Sequence, residues 1–120
     1  MKPQETHILL VDDSQFMRKV LRDILESAGY MNITEAGNGK EAQKKIEEAK
    51  PDFIFLDIIM PEMNGIDLLK SLGGTIPALV VSAVGQDSVV DEAKHFGAKD
   101  YIVKPFEKEE VIQKLEKYLH

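Results

Sequence analysis

The sequence predicts an α/β fold, a doubly wound parallel sheet of five strand and helix units, and three observations support this prediction. Short apolar runs alternate with longer amphipathic stretches along the whole 120-residue chain. Three of the runs are apolar at every position, as strands buried on both faces of a parallel sheet require. No internal repeat or linker interrupts the alternation, so we expect one domain spanning residues 1–120.

Five apolar runs are the predicted strands, at residues 8–11, 33–36, 53–56, 78–81 and 101–103. Between and after them, apolar residues recur at spacings of three and four, which is the period of one helix face. These helical runs cover residues 16–28, 42–49, 66–72, 89–96 and 111–119, and Gly or Pro follows each of the first four. Because parallel crossovers are right-handed, few topologies remain, and we predict the flavodoxin-like strand order 2-1-3-4-5.

The composition argues against several classes of protein. With 21 acidic and 15 basic residues the net charge is -6, which disfavours a nucleic-acid partner and favours basic partners or partners that arrive with a cation. The chain has no cysteine, so neither a disulfide framework nor a thiolate metal site is possible. No apolar run approaches the roughly 20 residues that cross a bilayer. We therefore expect a cytoplasmic protein that does not enter a membrane.

Polar side chains follow four of the five predicted strands. Asp12 and Asp13 follow the first, Asp57 the third, Ser82 the fourth and Lys104 the fifth. In sheets of this class, ligands bind beyond the carboxyl ends of the strands, at the switch point between the first and third strands. The fold would therefore gather these five residues around one shallow site.

Each of these residues alone also has an ordinary structural explanation. Asp13 before Ser14 resembles a helix N-cap, and an isolated Asp57 would more often be a turn residue. A lone Ser82 carries little information, and a lone Lys104 is usually solvated. Only their joint occurrence at the strand ends favours a site.

Three carboxylates gathered in one site repel each other, and a raised pKa, a cationic partner or a bound divalent metal relieves the repulsion. An all-oxygen ligand set selects a hard cation, so we expect Mg²⁺, with Mn²⁺ as a substitute. A carboxylate nucleophile, a divalent cation, a hydroxyl and a lysine are together the apparatus of phosphoryl transfer.

In order and spacing, four segments resemble the receiver domains of two-component response regulators, and the resemblance spans essentially the whole chain. They are LLVDDS at residues 9–14, LDIIMPEMNG at 56–65, VSA at 81–83 and GAKDYIVKPF at 97–106. The last segment, together with SAVGQ at residues 82–86, is most similar to the chemotaxis regulators of that family.

The resemblance implies that Asp57 accepts a phosphoryl group from the phosphohistidine of a sensor histidine kinase. It also implies that Asp12, Asp13 and Asp57 bind Mg²⁺ together with the backbone carbonyl of Ile59. Such a protein is regulatory rather than an enzyme, with only slow self-catalysed phosphorylation and dephosphorylation.

By the same resemblance, Lys104 and the Ser82 hydroxyl contact phosphoryl oxygens, and the Lys104-Pro105 bond is cis. Tyr101 matches an aromatic residue that turns inward when that hydroxyl moves. The implied output surface is the fourth helix, fifth strand and fifth helix, with candidates Val90, Lys94, His95, Tyr101, Glu107 and Val111. The helical spacing also fits Val111 as a core residue.

Ile59 and Val84 flank the expected phosphoryl site, where many members of the family carry polar residues. Neither side chain can orient a water molecule. We therefore hypothesise that they slow the hydrolysis of the aspartyl phosphate.

The fifth helix ends the sequence, so we expect a receiver domain without an effector domain, whose output is binding to another protein such as a flagellar motor switch. The alternatives are a phosphorelay intermediate acting on a phosphotransfer protein, and a receiver fragment of a longer regulator. A phosphatase of the haloacid dehalogenase type is disfavoured, because it needs a second aspartate two residues after its nucleophile. Ser14 stands there after Asp12.

Overall fold

The computed structural model of the protein describes residues 2–60 and 64–119. A short 3-10 helix, Pro3–Glu5, precedes five strands and five helices that alternate along the chain. The strands are β1 (His7–Val11), β2 (Asn32–Ala36), β3 (Phe53–Leu56), β4 (Ala78–Ser82) and β5 (Ala98–Val103). The helices are α1 (Gln15–Ser27), α2 (Gly39–Ala49), α3 (Gly65–Leu72), α4 (Asp87–His95) and α5 (Lys108–Leu119). The predicted α/β class is confirmed.

The five strands form one parallel sheet in the order β2-β1-β3-β4-β5, as predicted. Val11, the last residue of β1, pairs with Ala36 at the end of β2 and with Leu56 at the end of β3. Ser82 at the end of β4 pairs with Val103 at the end of β5. Leu56 pairs with Val80, so β4 and β5 run two residues beyond the end of β3, but the loops that follow the strands lie along one edge of the sheet.

Two apolar clusters cover the two faces of the sheet. One contains side chains of α1 and α5, including Leu21, Leu25 and Leu115, and the other contains side chains of α2, α3 and α4, including Leu68 and Ala93. The three central strands are buried almost throughout, whereas the edge strands β2 and β5 also contain half-buried and exposed residues. This burial explains why the central strands were apolar at every position.

Two details differ from the predicted elements, and a third decides between two alternatives. β5 begins at Ala98 rather than at 101, because the polar Lys99 and Asp100 belong to an edge strand and obscure its start. Phe16 has the spacing of the apolar face of α1, but it lies in the first turn and is 73% exposed. Val111 was expected either on the output surface or in the core, and the core alternative is correct because its side chain packs inside the cluster that contains α1 and α5.

None of the helices within residues 2–60 and 64–119 combines the length and the apolar character needed to cross a bilayer.

Helix α3 abuts the loop that follows β3. The amide of Gly65, its first residue, donates to the carbonyl of Ile58 at 2.9 Å, and the Asn64 side chain caps the helix. A Cβ atom on Gly65 would lie 2.5 Å from the Ile58 Cα and 2.7 Å from the carbonyl oxygen of Asp57. Glycine at this position therefore lets α3 approach the backbone that carries Asp57.

We expect the Gly65→Ala substitution to lower the free energy of unfolding by about 1–3 kcal/mol, because the new methyl group meets backbone atoms that cannot rotate away. Urea denaturation measures the loss. Gly85→Ala is the matched control, since its Cβ would meet only the methyl carbons of Val103, at 2.9 and 3.1 Å, which can rotate away. Equal losses in the two variants would show that the close approach of α3 is unimportant.

A charged network joins α1 to β2. Glu35 accepts from the Nε of Arg18 on one carboxylate oxygen and from the Nε of Arg22 on the other, each at 2.8 Å. Partial burial alone would raise the pKa of Glu35, but the hydrogen bonds from the two guanidinium groups outweigh it and lower the pKa. The ionised carboxylate is therefore stabilised by folding.

We expect Glu35→Gln to lower the free energy of unfolding by about 1–3 kcal/mol at pH 7, because two arginines lose a charged acceptor. The lowered pKa means that the contribution of Glu35 is complete above its ordinary value of 4.5 and is lost as the pH falls through the folded value. Urea denaturation from pH 7 to pH 3 should show that the difference in the free energy of unfolding between the wild type and Glu35→Gln becomes smaller. Glu48→Gln, at an exposed pair 4.0 Å from Lys44, serves as control. A difference in the free energy of unfolding that stays constant over this pH range would contradict this account.

Candidate functional site

Sheet hydrogen bonds continue one residue past three of the strands and fix the backbone of the candidate site. The amide of Asp12 donates to a β2 carbonyl at 3.1 Å, and that of Asp57 to a β1 carbonyl at 2.9 Å. The amide of Lys104 donates to a β4 carbonyl at 2.9 Å. The sheet therefore fixes the backbone position of the first residue in each of the loops after β1, β3 and β5. The side chains of these three residues lie close together.

The ammonium group of Lys104 lies between two carboxylates. Its Nζ is 2.9 Å from an oxygen of Asp12 and 2.9 Å from an oxygen of Asp57. The carboxylate side chains are only 3% and 9% exposed, and the lysine side chain is 17% exposed. The three residues that the sequence predicted from separate strand ends are thus in direct contact.

Electrostatics favour a charged lysine in this site. Burial alone would lower the pKa of Lys104, but the hydrogen bonds to Asp12 and Asp57 outweigh it, and the pKa lies above its ordinary value. Burial raises the pKa of Asp12, although the Ser14 amide and Lys104 act in the opposite direction. Folding therefore makes the charged form of Asp12 less favourable than in water, and Ser14 and Lys104 compensate for this only in part.

Each carboxylate also accepts a hydrogen bond from its own loop. One oxygen of Asp12 accepts from the amide of Ser14 at 2.9 Å, and one oxygen of Asp57 accepts from the amide of Ile59 at 3.0 Å. The other oxygen of each binds Lys104. Both side chains are therefore oriented by short-range turns before any ligand arrives.

Asp13 completes a cluster of three carboxylates. Asp12, Asp13 and Asp57 each offer one oxygen, and these oxygens lie within 4.8 Å of one another. The helix cap is Ser14, whose Oγ accepts from the amide of Met17, so Asp13 does not have the alternative capping role. Oxygen ligands of this type suit a hard divalent cation. The cluster therefore fits the expected metal site.

Ser82 and Tyr101 both contact the loop after β4. The buried Ser82 Oγ accepts from the amide of Val84 at 3.4 Å, and the Tyr101 hydroxyl donates to the carbonyl of the same residue. The Tyr101 side chain points inward, and burial raises the pKa of its phenol. The two predicted switch residues are thus linked through one peptide segment.

Two apolar residues line a groove next to the loop that carries Asp57. Ile59 is 57% exposed and Val84 is half-buried, and both line a groove of about 350 Å³ between the β3 loop and α4. The Lys104-Pro105 bond is cis, as the resemblance implied. The segment at residues 61–63 of the LDIIMPEMNG motif lies outside the described residues.

The candidate output surface has a centre that the sequence did not reveal. Asp100 on β5 accepts from the Tyr118 hydroxyl at 3.1 Å, and its carboxylate lies 3.6 Å from Lys114 and 4.0 Å from Lys94. Burial alone would raise the pKa of Asp100, but these groups and the amide of Tyr101 outweigh it and lower the pKa. Lys114 also donates to the Tyr101 carbonyl at 3.1 Å. This network joins α4, β5 and α5 beside the switch aromatic.

The other surface candidates are accessible, with Lys94, His95 and Glu107 exposed and Val90 half-buried. Sequence reasoning also missed Arg18 of α1, which contacts the backbone of Asp12, and Glu35 of β2, which pairs with Arg18. Their only signal was two arginines four residues apart on the first helix.

Comparisons with known proteins agree with this geometry. The family model described as response regulator receiver domain matches residues 8–116. The chain is 50% identical over 113 residues to the chemotaxis protein CheY of Thermotoga maritima, which covers 92% of this chain and 94% of that protein. It is 43% identical over 116 residues to the chemotaxis protein CheY of Bacillus subtilis, with 94% and 97% covered.

Solved structures give the same result. A two-component response regulator from Clostridium difficile matches with a TM-score of 0.89 and 32% identity, and 95% of each chain is covered. A chain of the CheX-CheY-BeF3-Mg²⁺ complex from Borrelia burgdorferi matches with a TM-score of 0.91 and 33% identity, covering 96% of this chain and 90% of that chain. The protein therefore belongs to the receiver domains of response regulators and is closely related to the chemotaxis protein CheY.

Proposed function

We propose that the protein is a phosphorylation switch of chemotaxis signalling, in which Asp57 accepts a phosphoryl group from a sensor histidine kinase. The observation that carries the proposal is the contact of Asp57 with Lys104, beside the carboxylates of Asp12 and Asp13. A carboxylate nucleophile next to a fixed ammonium group has both elements that phosphoryl transfer requires, a reacting oxygen and compensating positive charge.

In the proposed reaction, a carboxylate oxygen of Asp57 forms a bond to phosphorus while the bond from phosphorus to the histidine nitrogen of the kinase breaks. The amide of Ile59 orients the carboxylate, and Lys104 neutralises charge on the transferring group. The phosphoryl group becomes attached to the protein itself, so the role of the protein is regulatory. It catalyses its own phosphorylation and dephosphorylation only slowly.

Asp12, Asp13 and Asp57, with the backbone carbonyl of Ile59, would bind a divalent cation, which we propose to be Mg²⁺ with Mn²⁺ as a substitute. When bound, the cation supplies positive charge to the phosphoryl oxygens. The carboxylates of Asp12 and Asp57 are already oriented for this role, because Lys104 and the loop amides hold them in place.

We propose that the signal passes from Asp57 to the output surface through Ser82 and Tyr101. Phosphorylation adds roughly -1.5 to -2 charge and strong acceptor oxygens at one point. The Ser82 hydroxyl can donate to one of these oxygens, which would release its contact with the Val84 amide. Since the Val84 carbonyl binds Tyr101, a shift of this loop changes the position of the aromatic side chain and of its neighbours on β5.

The proposed partners are a sensor histidine kinase and a target protein such as a flagellar motor switch. The support is the similarity to chemotaxis proteins, which the chain matches over 94–97% of their length in the two cases given. On this basis we propose that it acts in the cytoplasm as a single receiver domain without a fused effector. The alternative of a phosphorelay intermediate has no comparable support.

We expect the wild-type protein, incubated with a small phosphodonor and Mg²⁺, to gain the mass of one phosphoryl group, because Asp57 is the oriented nucleophile. Asp57→Asn should gain none. Mass spectrometry of the intact proteins measures the difference.

Asp23→Asn is the matched control, because it removes an exposed carboxylate that pairs with Lys19 on α1. This variant should be phosphorylated like the wild type. Equal phosphorylation of the Asp57→Asn variant would refute the assignment of the acceptor.

We expect Ile59→Asn to shorten the lifetime of the phosphorylated protein severalfold, because the amide can orient a water molecule beside the phosphoryl group and the aliphatic side chain cannot. Loss of the phosphorylated mass over time, after removal of the donor, gives the lifetime. Met31→Asn makes the same change at an exposed position just before β2, at the opposite edge of the sheet, and should leave the lifetime unchanged. An unchanged lifetime in Ile59→Asn would exclude the shielding hypothesis.

A further inference from the structure

We infer that Arg18 is a positioning residue for the cation site, where it fixes the peptide group that joins Asp12 to Asp13. The inference rests on the proposed function, because it concerns the cation that the three carboxylates would bind. Arg18 does not itself reach the cluster of carboxylate oxygens as a ligand. It contacts the backbone between two of the ligand residues.

The guanidinium group of Arg18 binds two acceptors at once. Its Nη1 donates to the backbone carbonyl of Asp12 at 2.6 Å, and its Nε donates to Glu35 at 2.8 Å. The side chain is 17% exposed, and its fork of donors is rigid. Arg18 therefore links Glu35, whose position is fixed by β2, to the loop after β1.

The contact matters because of which atom it holds. The Asp12 amide is fixed by the sheet, and both carboxylate oxygens are bound, by Ser14 and by Lys104. The Asp12 carbonyl lies in the same peptide plane as the amide of Asp13. By binding this carbonyl, Arg18 fixes the orientation of the peptide group between Asp12 and Asp13. The position of the Asp13 carboxylate relative to the other two carboxylates depends on that orientation.

Glu35 gives Arg18 a firm anchor. It lies in β2, its backbone pairs with Leu10 of β1, and its carboxylate is shared with Arg22. Gly37 lies beside the guanidinium group, since a Cβ atom at this position would be 3.4 Å from Nη1, an ordinary contact distance. Arg18 of α1, anchored by Glu35 of β2, therefore directs its Nη1 at the Asp12 carbonyl.

Arg22 provides a matched comparison within the same network. Its Nε binds the same carboxylate at the same distance of 2.8 Å, but its other donor contacts the carbonyl of Ile33 at 3.2 Å. Ile33 lies near the start of β2, away from the strand ends that form the site. The two arginines therefore share an ion-pair partner and differ in their contact with the site.

The test compares Arg18→Lys with Arg22→Lys. Both variants keep the positive charge, so long-range attraction or repulsion of the cation does not change, but one ammonium group cannot span both acceptors as the fork does. Electron paramagnetic resonance of free Mn²⁺ measures the dissociation constant directly, without any phosphorylation. Urea denaturation of the same samples gives the stability of each variant.

We expect Arg18→Lys to weaken Mn²⁺ binding about tenfold, as is typical when a residue that orients a metal ligand is changed. Arg22→Lys should keep the affinity of the wild type even if it loses comparable stability. Equal affinities in the two variants would overturn the role of Arg18 while leaving the role of Asp57 intact. A wild-type protein that binds no Mn²⁺ and takes up no phosphate would instead refute the proposed function.

A second measurement on the wild type covers the case in which Arg18→Lys does not fold. Addition of Mg²⁺ should shift the side-chain Nε resonance of Arg18 and leave that of Arg22 in place, because only Arg18 is bonded to the loop that binds the cation. Equal shifts for both arginines, or none for either, would contradict the inference.

Discussion

At the carboxyl edge of the sheet, one ammonium group stands between two nearly buried carboxylates, and the site depends on this contact. Lys104 comes from the loop after β5, Asp12 from the loop after β1 and Asp57 from the loop after β3. Taking such charges out of water is costly unless they are paired. The lysine offsets part of the repulsion between the aspartates, and the same charge would be available to the phosphoryl group that we propose Asp57 accepts.

The parallel sheet makes this contact possible because it brings distant parts of the chain to one edge. The last residues of β1, β2 and β3 are in register, and so are those of β4 and β5. The same strand that leads to Lys104 also carries Tyr101 and Asp100, which contact the β4 loop and the α4 and α5 helices. The proposed acceptor and the proposed output surface are therefore connected through β5 and the loop beside it.

The sequence predicted the features that depend on local pattern. Central strands were recognisable because burial on both faces excludes polar residues, and the site residues because they stand at strand ends. The start of β5 was missed because an edge strand tolerates polar residues, and Val111 was left open between core and surface because helical spacing alone does not separate the two. The contact of Arg18 with the Asp12 carbonyl depends on how α1 packs beside β2, which no local pattern records.

The measurement that tests the central claim most directly locates the phosphoryl group on the chain. Borohydride reduces an aspartyl phosphate to homoserine, and tandem mass spectrometry of the digested protein identifies the altered residue. After incubation with a phosphodonor and Mg²⁺, the account predicts homoserine at position 57 alone. Homoserine at position 12 or 13, or an unaltered chain despite phosphate uptake, would contradict it.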